Sequence, residues 1–228
     1  MSSKLLITGG DAAAFAAAFA SGATSIALDL EDTVPDDRKA ATRALVPDFL
    51  GQGRAAGCHV GLRISPLSTR DGIEDIRLLL DAAVQPDSLV LTKVESAAEL
   101  RLLDELLGGP CAALPLNVII ETPRAIAAVE EIARASRRVE ALSFGGKDLS
   151  KALGAMRAWE PLFHARAMVV NAARGAGLGA YDEPFHPRDD LEGLRQNCLR
   201  VQAMGFTGKS TTDPRHPAVI NAVFARPL

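Results

Sequence analysis

Short apolar runs alternate with helix-patterned stretches along almost the whole of this chain, and few folds tolerate that rhythm. The runs fall at residues 5–8, 25–29, 59–64, 88–93, 116–121, 139–144, 178–181 and 205–209. Unbroken runs of this length read as strands of a parallel sheet, buried on both faces. Helical spacing lies between them, in Ile73, Ile76 and Leu79, in Leu100, Leu103, Leu106 and Leu107, and in Leu191, Leu194, Cys198 and Val201. Gly108-Gly109-Pro110 is a helix stop, and Thr122-Pro123 pairs an N-cap with a first helical residue. Strand then helix, about eight times in 228 residues, predicts an α/β protein. The architecture expected is a TIM (β/α)8 barrel near its lower size limit, as a single domain over residues 1–228. A doubly wound open sheet is the alternative, but no Gly-rich dinucleotide fingerprint follows the first run.

The barrel reading makes a claim about polar residues, because chemistry in this fold sits at the carboxyl ends of the strands. Those ends carry Asp29, Glu31 and Asp32, then Arg63, Lys93, Glu121, Asp148, Asp182 and Lys209. Glu121 ends Leu116-Asn117-Val118-Ile119-Ile120, and Asp148 follows Ala141-Leu142-Ser143-Phe144 through Gly145-Gly146-Lys147. Adjacent strands lie about 4.8 Å apart, so both carboxylates can reach one small volume. Two hard oxygen ligands with room for water and substrate suit Mg²⁺, or Mn²⁺. The four histidines are dispersed and form no H-x-x-x-H pair, which argues against zinc; His186 and His216 read as solvated loop residues. Gly145-Gly146 fits a turn that lets a ligand approach the backbone. Arg63 suits a bidentate grip on a carboxylate or on an oxygen gaining charge.

Asp29-Leu30-Glu31-Asp32 crowds three acids, so a partner cation or a raised pKa is expected; Lys39, Lys93 or Arg63 could supply the charge. The same crowding would raise the pKa of Lys93, which disfavours a Schiff base and favours ion-pair or phosphate contacts for Lys93 and Lys209. The net charge of −3 and the lack of a basic stripe exclude a nucleic-acid or anionic-membrane footprint. No stretch approaches the roughly 18 apolar residues of a membrane span. Three scattered cysteines without a C-x-x-C point to a reducing, cytoplasmic setting.

At these positions the sequence resembles the citrate lyase beta-subunit-like branch of the HpcH/HpaI aldolase family. The segments that carry the resemblance are Leu28-Asp29-Leu30-Glu31-Asp32-Thr33-Val34-Pro35, Leu62-Arg63-Ile64-Ser65-Pro66, Thr92-Lys93-Val94-Glu95-Ser96, Ile119-Ile120-Glu121-Thr122, Phe144-Gly145-Gly146-Lys147-Asp148-Leu149 and Gly205-Phe206-Thr207-Gly208-Lys209. They run in the family's order over nearly the whole chain. The resemblance implies a Mg²⁺-dependent barrel, a homotrimer or hexamer, that makes or breaks carbon–carbon bonds in small hydroxy or keto acids or their CoA thioesters, of the citryl-, malyl- or citramalyl-CoA type. It places metal ligands at Glu121 and Asp148 and the substrate arginine at Arg63. Thr92, Lys147 and Thr212-Asp213-Pro214 depart from the family pattern, as does the opening Ser2-Ser3-Lys4, where some members carry Arg-Ser. The chain is also expected to lack the C-terminal extension with which many CoA-using members place an acid in a neighbouring site.

The expectation drawn from residues and resemblance together is a Mg²⁺-dependent carbon–carbon lyase. Glu121 and Asp148 hold the metal, Arg63 holds a carboxylate or enolate oxygen, and Asp29, Gly145 and Gly146 line the substrate site. Glu31 or a metal-bound water is the base. The alternatives are a class II pyruvate-type aldolase, an acyl-CoA thioesterase, and a non-catalytic metal- and acid-binding protein.

Overall fold

The computed structural model describes residues 2–9 and 12–225. Gly10, Asp11 and the two ends of the expected 1–228 domain lie outside the described residues. Eight strands, β1 (Ser3–Thr8), β2 (Ser25–Asp29), β3 (Val60–Ile64), β4 (Ser88–Leu91), β5 (Leu116–Ile120), β6 (Val139–Phe144), β7 (Gly179–Asp182) and β8 (Gly208–Thr211), pair in sequence order into a closed parallel barrel. Closure is made by β1 against β8, with Ser3 opposite Lys209 and Leu5 opposite Thr211. At least one helix follows every strand, from Ala12–Phe19 after β1 to Pro217–Phe224 after β8. Both the alternation and the barrel are as the sequence predicts.

Strand parity sorts the side chains. Ile26, Leu28, Val60, Leu62, Leu89, Leu91, Leu116, Val118, Ile120 and Leu142 pack outward against the helices, each at most 2 % exposed. The alternate positions face inward and many are small or polar, among them Ser25, Ala27, Ser88, Asn117 and Ser143, the last donating to the Asn117 side-chain oxygen at 3.0 Å, beside the apolar Leu6, Val90 and Ile119. Gly61 has to be glycine, because a Cβ there would lie 2.8 Å from the Ser88 carbonyl oxygen of the next strand. An interior built of such residues leaves space, and that space positions the site.

The helix signals hold with a change of face. Thr122 caps Pro123–Ala127 by accepting from the Ala125 N–H at 3.1 Å. Leu194, Cys198 and Val201 are buried along Leu191–Ala203, but Leu191 and Ile73 stay exposed. The last strand begins three residues after the run expected at 205. Gly205 adopts φ +101 and Phe206 is buried beneath the loop, so the apolar residues that suggested a strand form its lead-in.

Candidate active site

A cavity of about 540 Å³ opens at the carboxyl ends of the strands and descends inside the barrel to Lys4, Ser25, Ser88 and Asn117. Arg63, Glu121, Gly145, Gly146 and Asp148 all line it. The pairing of Ile120 with Phe144 brings Glu121 and Gly145 side by side, and the Gly145 N–H donates to the Ile120 carbonyl at 3.0 Å. A Cβ on Gly145 would collide with the Glu121 side chain, so the glycine is what lets the carboxylate sit there. Asp148 falls in the first turn of the helix Gly146–Leu153, where the helix dipole favours an anion.

Glu121 is 4 % exposed and accepts the Lys93 backbone N–H at 2.8 Å. Burial, with the charges of Asp148 and Glu31 adding to it, pushes its pKa up to about 8. Lys93 makes that contact from a left-handed backbone (φ +51), the one such non-glycine residue among those described. The same twist turns its side chain to Glu31 and to Asp32 at 2.9 Å. Burial lowers the Lys93 pKa, but the two acids outweigh it and the net shift is upward. The side chain is therefore an ammonium at neutral pH, in line with the sequence expectation. Incubation with pyruvate and borohydride is expected to leave the protein mass unchanged, and a trapped adduct at Lys93 would contradict this.

Asp29 holds Arg63 in a fork, Nε to Oδ1 at 2.6 Å and Nη2 to Oδ2 at 2.5 Å. The same carboxylate accepts from the Glu31 N–H and from both the N–H and the hydroxyl of Thr33. Burial raises its pKa, but Arg63 outweighs that and the carboxyl stays below its usual range. Asp29 is wholly buried, and all its oxygen valence is spent. Expected as a substrate contact, Asp29 lies behind the cavity wall and orients Arg63, and Arg63 Nη1, 3.5 Å from Glu31, is the edge left for a ligand. Glu31 is similarly covered: one oxygen takes Lys93, the other the Asp32 N–H at 2.8 Å. Burial raises its pKa against the pull of Arg63 and Lys93. It does not line the cavity, and each of its oxygens already accepts one hydrogen bond.

The β7 and β8 ends depart from expectation most. Asp182 and Lys209 are fully buried on the outer face of the barrel, paired at 2.5 Å, and Asp182 also takes Arg166 of the helix Trp159–Gly175 at 2.9 Å. They are not rim residues of the main cavity. Glu183 and Arg157 are, joined to each other by an ion pair, and neither carried a sequence signal beyond its distance from a strand end. His216 is not solvated either. It is 1 % exposed, with its ring nitrogens 3.0 Å from the Thr211 hydroxyl and 2.9 Å from the Arg188 carbonyl.

No group of three or more His, Cys, Asp or Glu side chains able to hold a metal occurs among the described residues. Mg²⁺ does not require one: it commonly takes one or two carboxylates and fills its octahedron with water and ligand oxygens. Glu121 and Asp148, beside an open cavity, fit that habit. The proton that burial and like charge force onto Glu121 is one that a divalent cation would displace.

The HpcH/HpaI aldolase/citrate lyase family model matches residues 3–214. An L-malyl-CoA/beta-methylmalyl-CoA lyase of Rhodobacter capsulatus is 33 % identical over 90 % of this chain and 72 % of its own length. The crystal structure of RipC from Yersinia pestis superposes with a TM-score of 0.87 at 36 % identity, covering 100 % of this chain and 96 % of that one. CitE from Mycobacterium tuberculosis, in complex with magnesium, acetoacetate and coenzyme A, gives 0.83 at 27 % identity, covering 99 % and 81 %.

Proposed function

Since the chain belongs to the HpcH/HpaI aldolase/citrate lyase family, we propose that it is a Mg²⁺-dependent carbon–carbon lyase acting on a small β-hydroxyacyl-CoA thioester or the corresponding acid. The observation that carries this reading is the convergence of Glu121, Asp148 and Arg63 on one cavity. A relative that is a malyl-CoA lyase and a structural neighbour that holds magnesium, a keto acid and CoA support it.

Glu121 and Asp148 would hold the metal, which supplies a Lewis acid and a template for a carboxylate and its neighbouring oxygen. In the cleavage direction the β-hydroxyl loses its proton, its oxygen becomes a carbonyl, and the electrons of the broken carbon–carbon bond pass to the thioester as an enolate. A proton then returns to the enolate carbon. Arg63, locked by Asp29, presents Nη1 to an oxygen that gains charge in that step. Because Arg63 is held before substrate arrives, little reorganisation is needed during reaction. Gly145 and Gly146 keep the wall beside Glu121 free of side chains. Glu31 does not line the cavity, so the proton acceptor we propose is water.

A panel of hydroxyacyl-CoAs assayed with Mg²⁺ and with chelator tests the proposal. Chelator-sensitive release of a carbonyl product together with a shorter acyl-CoA is expected. Free CoA with the acid intact would identify a thioesterase instead, and no turnover with no Mg²⁺-dependent binding of oxaloacetate or pyruvate would refute the lyase. Metal binding should also be linked to a proton. With Glu121 protonated up to about pH 8, Mg²⁺ uptake at neutral pH is expected to release nearly one proton. Affinity should rise about tenfold per pH unit below that value and level off above it. Calorimetry in two buffers of different ionisation enthalpy measures the release, and Mg²⁺ affinity independent of pH would contradict the assignment.

The assembly we propose is a homotrimer or hexamer in the cytoplasm, to be checked by sedimentation. All three cysteines are unpaired, and no helix among the described residues is long and apolar enough to cross a membrane.

A further inference from the structure

A second cavity, of about 320 Å³, lies outside the barrel wall, bounded by the loop after β7, the start of the helix Trp159–Gly175 and the helix Leu191–Ala203. Four cations line it, Arg157, Arg166, Arg200 and Lys209, against two acids, Asp182 and Glu183. Both acids are saturated. Asp182 takes Arg166 Nε at 2.9 Å and Lys209 at 2.5 Å, while Glu183 takes Arg166 Nη2 at 2.6 Å and Arg157 Nε at 3.0 Å. Two formal positive charges are thus left over in a partly dry site.

Two unmet hydrogen-bonding groups mark the same place. Arg166 is 5 % exposed, and its Nη1 is buried with no partner. The side-chain carbonyl oxygen of Asn197, another residue lining the cavity, is also buried without one. Such groups are costly to bury and are normally satisfied by something. Trp159 adds an apolar wall, fixed between the Arg200 guanidinium, 3.7 Å from the ring centroid, and that of Arg166 at 5.1 Å. The positive potential is felt nearby: His186 on the cavity wall has its pKa lowered by burial first and then by Arg157, Lys209, Lys147 and Arg188.

We propose that this outer cavity binds the phosphate monoester of a small organic molecule. A monoester carries nearly two negative charges at neutral pH, which matches the two unbalanced cations. Guanidinium forks suit phosphate oxygens, and Arg166 Nη1 and the Asn197 amide are the donors in waiting. The volume is at the lower end of small-molecule sites, about 300 Å³ upward, so there is room for a small organic body beside the phosphate. The loops after strands 7 and 8 are also where TIM barrels frequently hold phosphate, although here the cavity is on the outer side of those strands. Arg157 and Glu183 line both cavities, so a phosphate here touches the wall of the active site without occupying it.

Titration of the full chain with inorganic phosphate, glycerol 3-phosphate, and CoA against its 3′-dephospho form tests this. Saturable binding of a phosphate monoester at millimolar concentration or below is expected, tighter for an ester than for inorganic phosphate. A preference for CoA over the dephospho form would identify the ester as the CoA tail, and a preference for glycerol 3-phosphate would identify a free metabolite. Arg200→Ala and Asn197→Leu lie outside the buried ion network and should each weaken binding roughly tenfold. Glu121→Gln should leave it unchanged. No binding, binding untouched by both outer variants, or binding abolished by Glu121→Gln would overturn the proposal.

Discussion

Glu121→Gln is expected to abolish Mg²⁺-dependent turnover and, in the same protein, to remove a loss of stability at alkaline pH. The first effect follows from deleting one of two carboxylates proposed to hold the cation. Lewis-acid stabilisation amounts to several kcal/mol, so kcat/KM should fall at least about a hundredfold. The second follows from the folded carboxyl having a pKa near 8 against a reference of 4.5. Between those values the unfolded chain has released a proton that the metal-free folded protein still binds. Raising the pH through this window therefore favours unfolding by about 1.4 kcal/mol per unit. The penalty is largest at and above pH 8, and on the order of 4 kcal/mol for a group this deeply buried. Glutamine is a neutral isostere of the protonated acid and keeps an acceptor for the Lys93 N–H, so its profile should lose the part of the slope that Glu121 contributes. Urea midpoints at pH 5 and pH 8.5, with and without Mg²⁺, measure this. The wild type should weaken at the higher pH and recover with metal, whereas the variant should weaken less and should not respond to metal. Wild-type Mg²⁺-dependent activity in the variant would sink the metal assignment.

Asp29→Asn should be the most destabilising of the conservative changes at the site, although Asp29 does not line the cavity. The carboxylate is wholly buried, and Arg63 is 8 % exposed. Removing one member of a buried pair strands the other charge and typically costs 3–5 kcal/mol. The asparagine NH₂ would also face the Arg63 donors, so the fork is lost as well as the charge. Stability and kcat/KM should fall together. Adding Arg63→Met removes the stranded guanidinium and should restore much of the stability while leaving activity absent, because paired removal is often neutral where single removal is not. If Asp29→Asn unfolds at the wild-type urea midpoint, the pair is not the brace described here. The folded Asp29 pKa is depressed, so the pair's contribution is full above the unfolded carboxyl pKa. It is lost only as the pH falls through the depressed value, the opposite direction to Glu121.

The difference between these two buried acids was not legible in the chain. Both end apolar runs, from which Glu121 is expected to hold the metal and Asp29 to line the substrate site. Glu121 lines the cavity with one backbone donor to satisfy it, whereas Asp29 meets a guanidinium, two N–H groups and a hydroxyl. Glu31 sits away from the cavity for a related reason: its companions Lys93 and Asp32 come from the same crowd of charges that draws attention to it in the sequence. Arg157 and Arg166 were missed because they lie on a loop and a helix, where a lone arginine is most often a surface residue.

Period and turn chemistry within single segments were enough to find the eight strands, with the last set three residues early, the Thr122 cap and the delivery of Glu121, Asp148 and Arg63 to the carboxyl ends of their strands. Such signals act over a few residues and survive translation into structure. Which side of the wall a strand-end charge faces is a different matter. It turns on a one-residue parity that depends on where a strand starts and which neighbour it pairs with. Asp182 and Lys209 show this: Tyr181 opposite Gly208 puts the next pair on the outer face, against Arg166. Only barrel closure, which joins residues some two hundred positions apart, fixes that parity, and with it which charges become the site and which become its support.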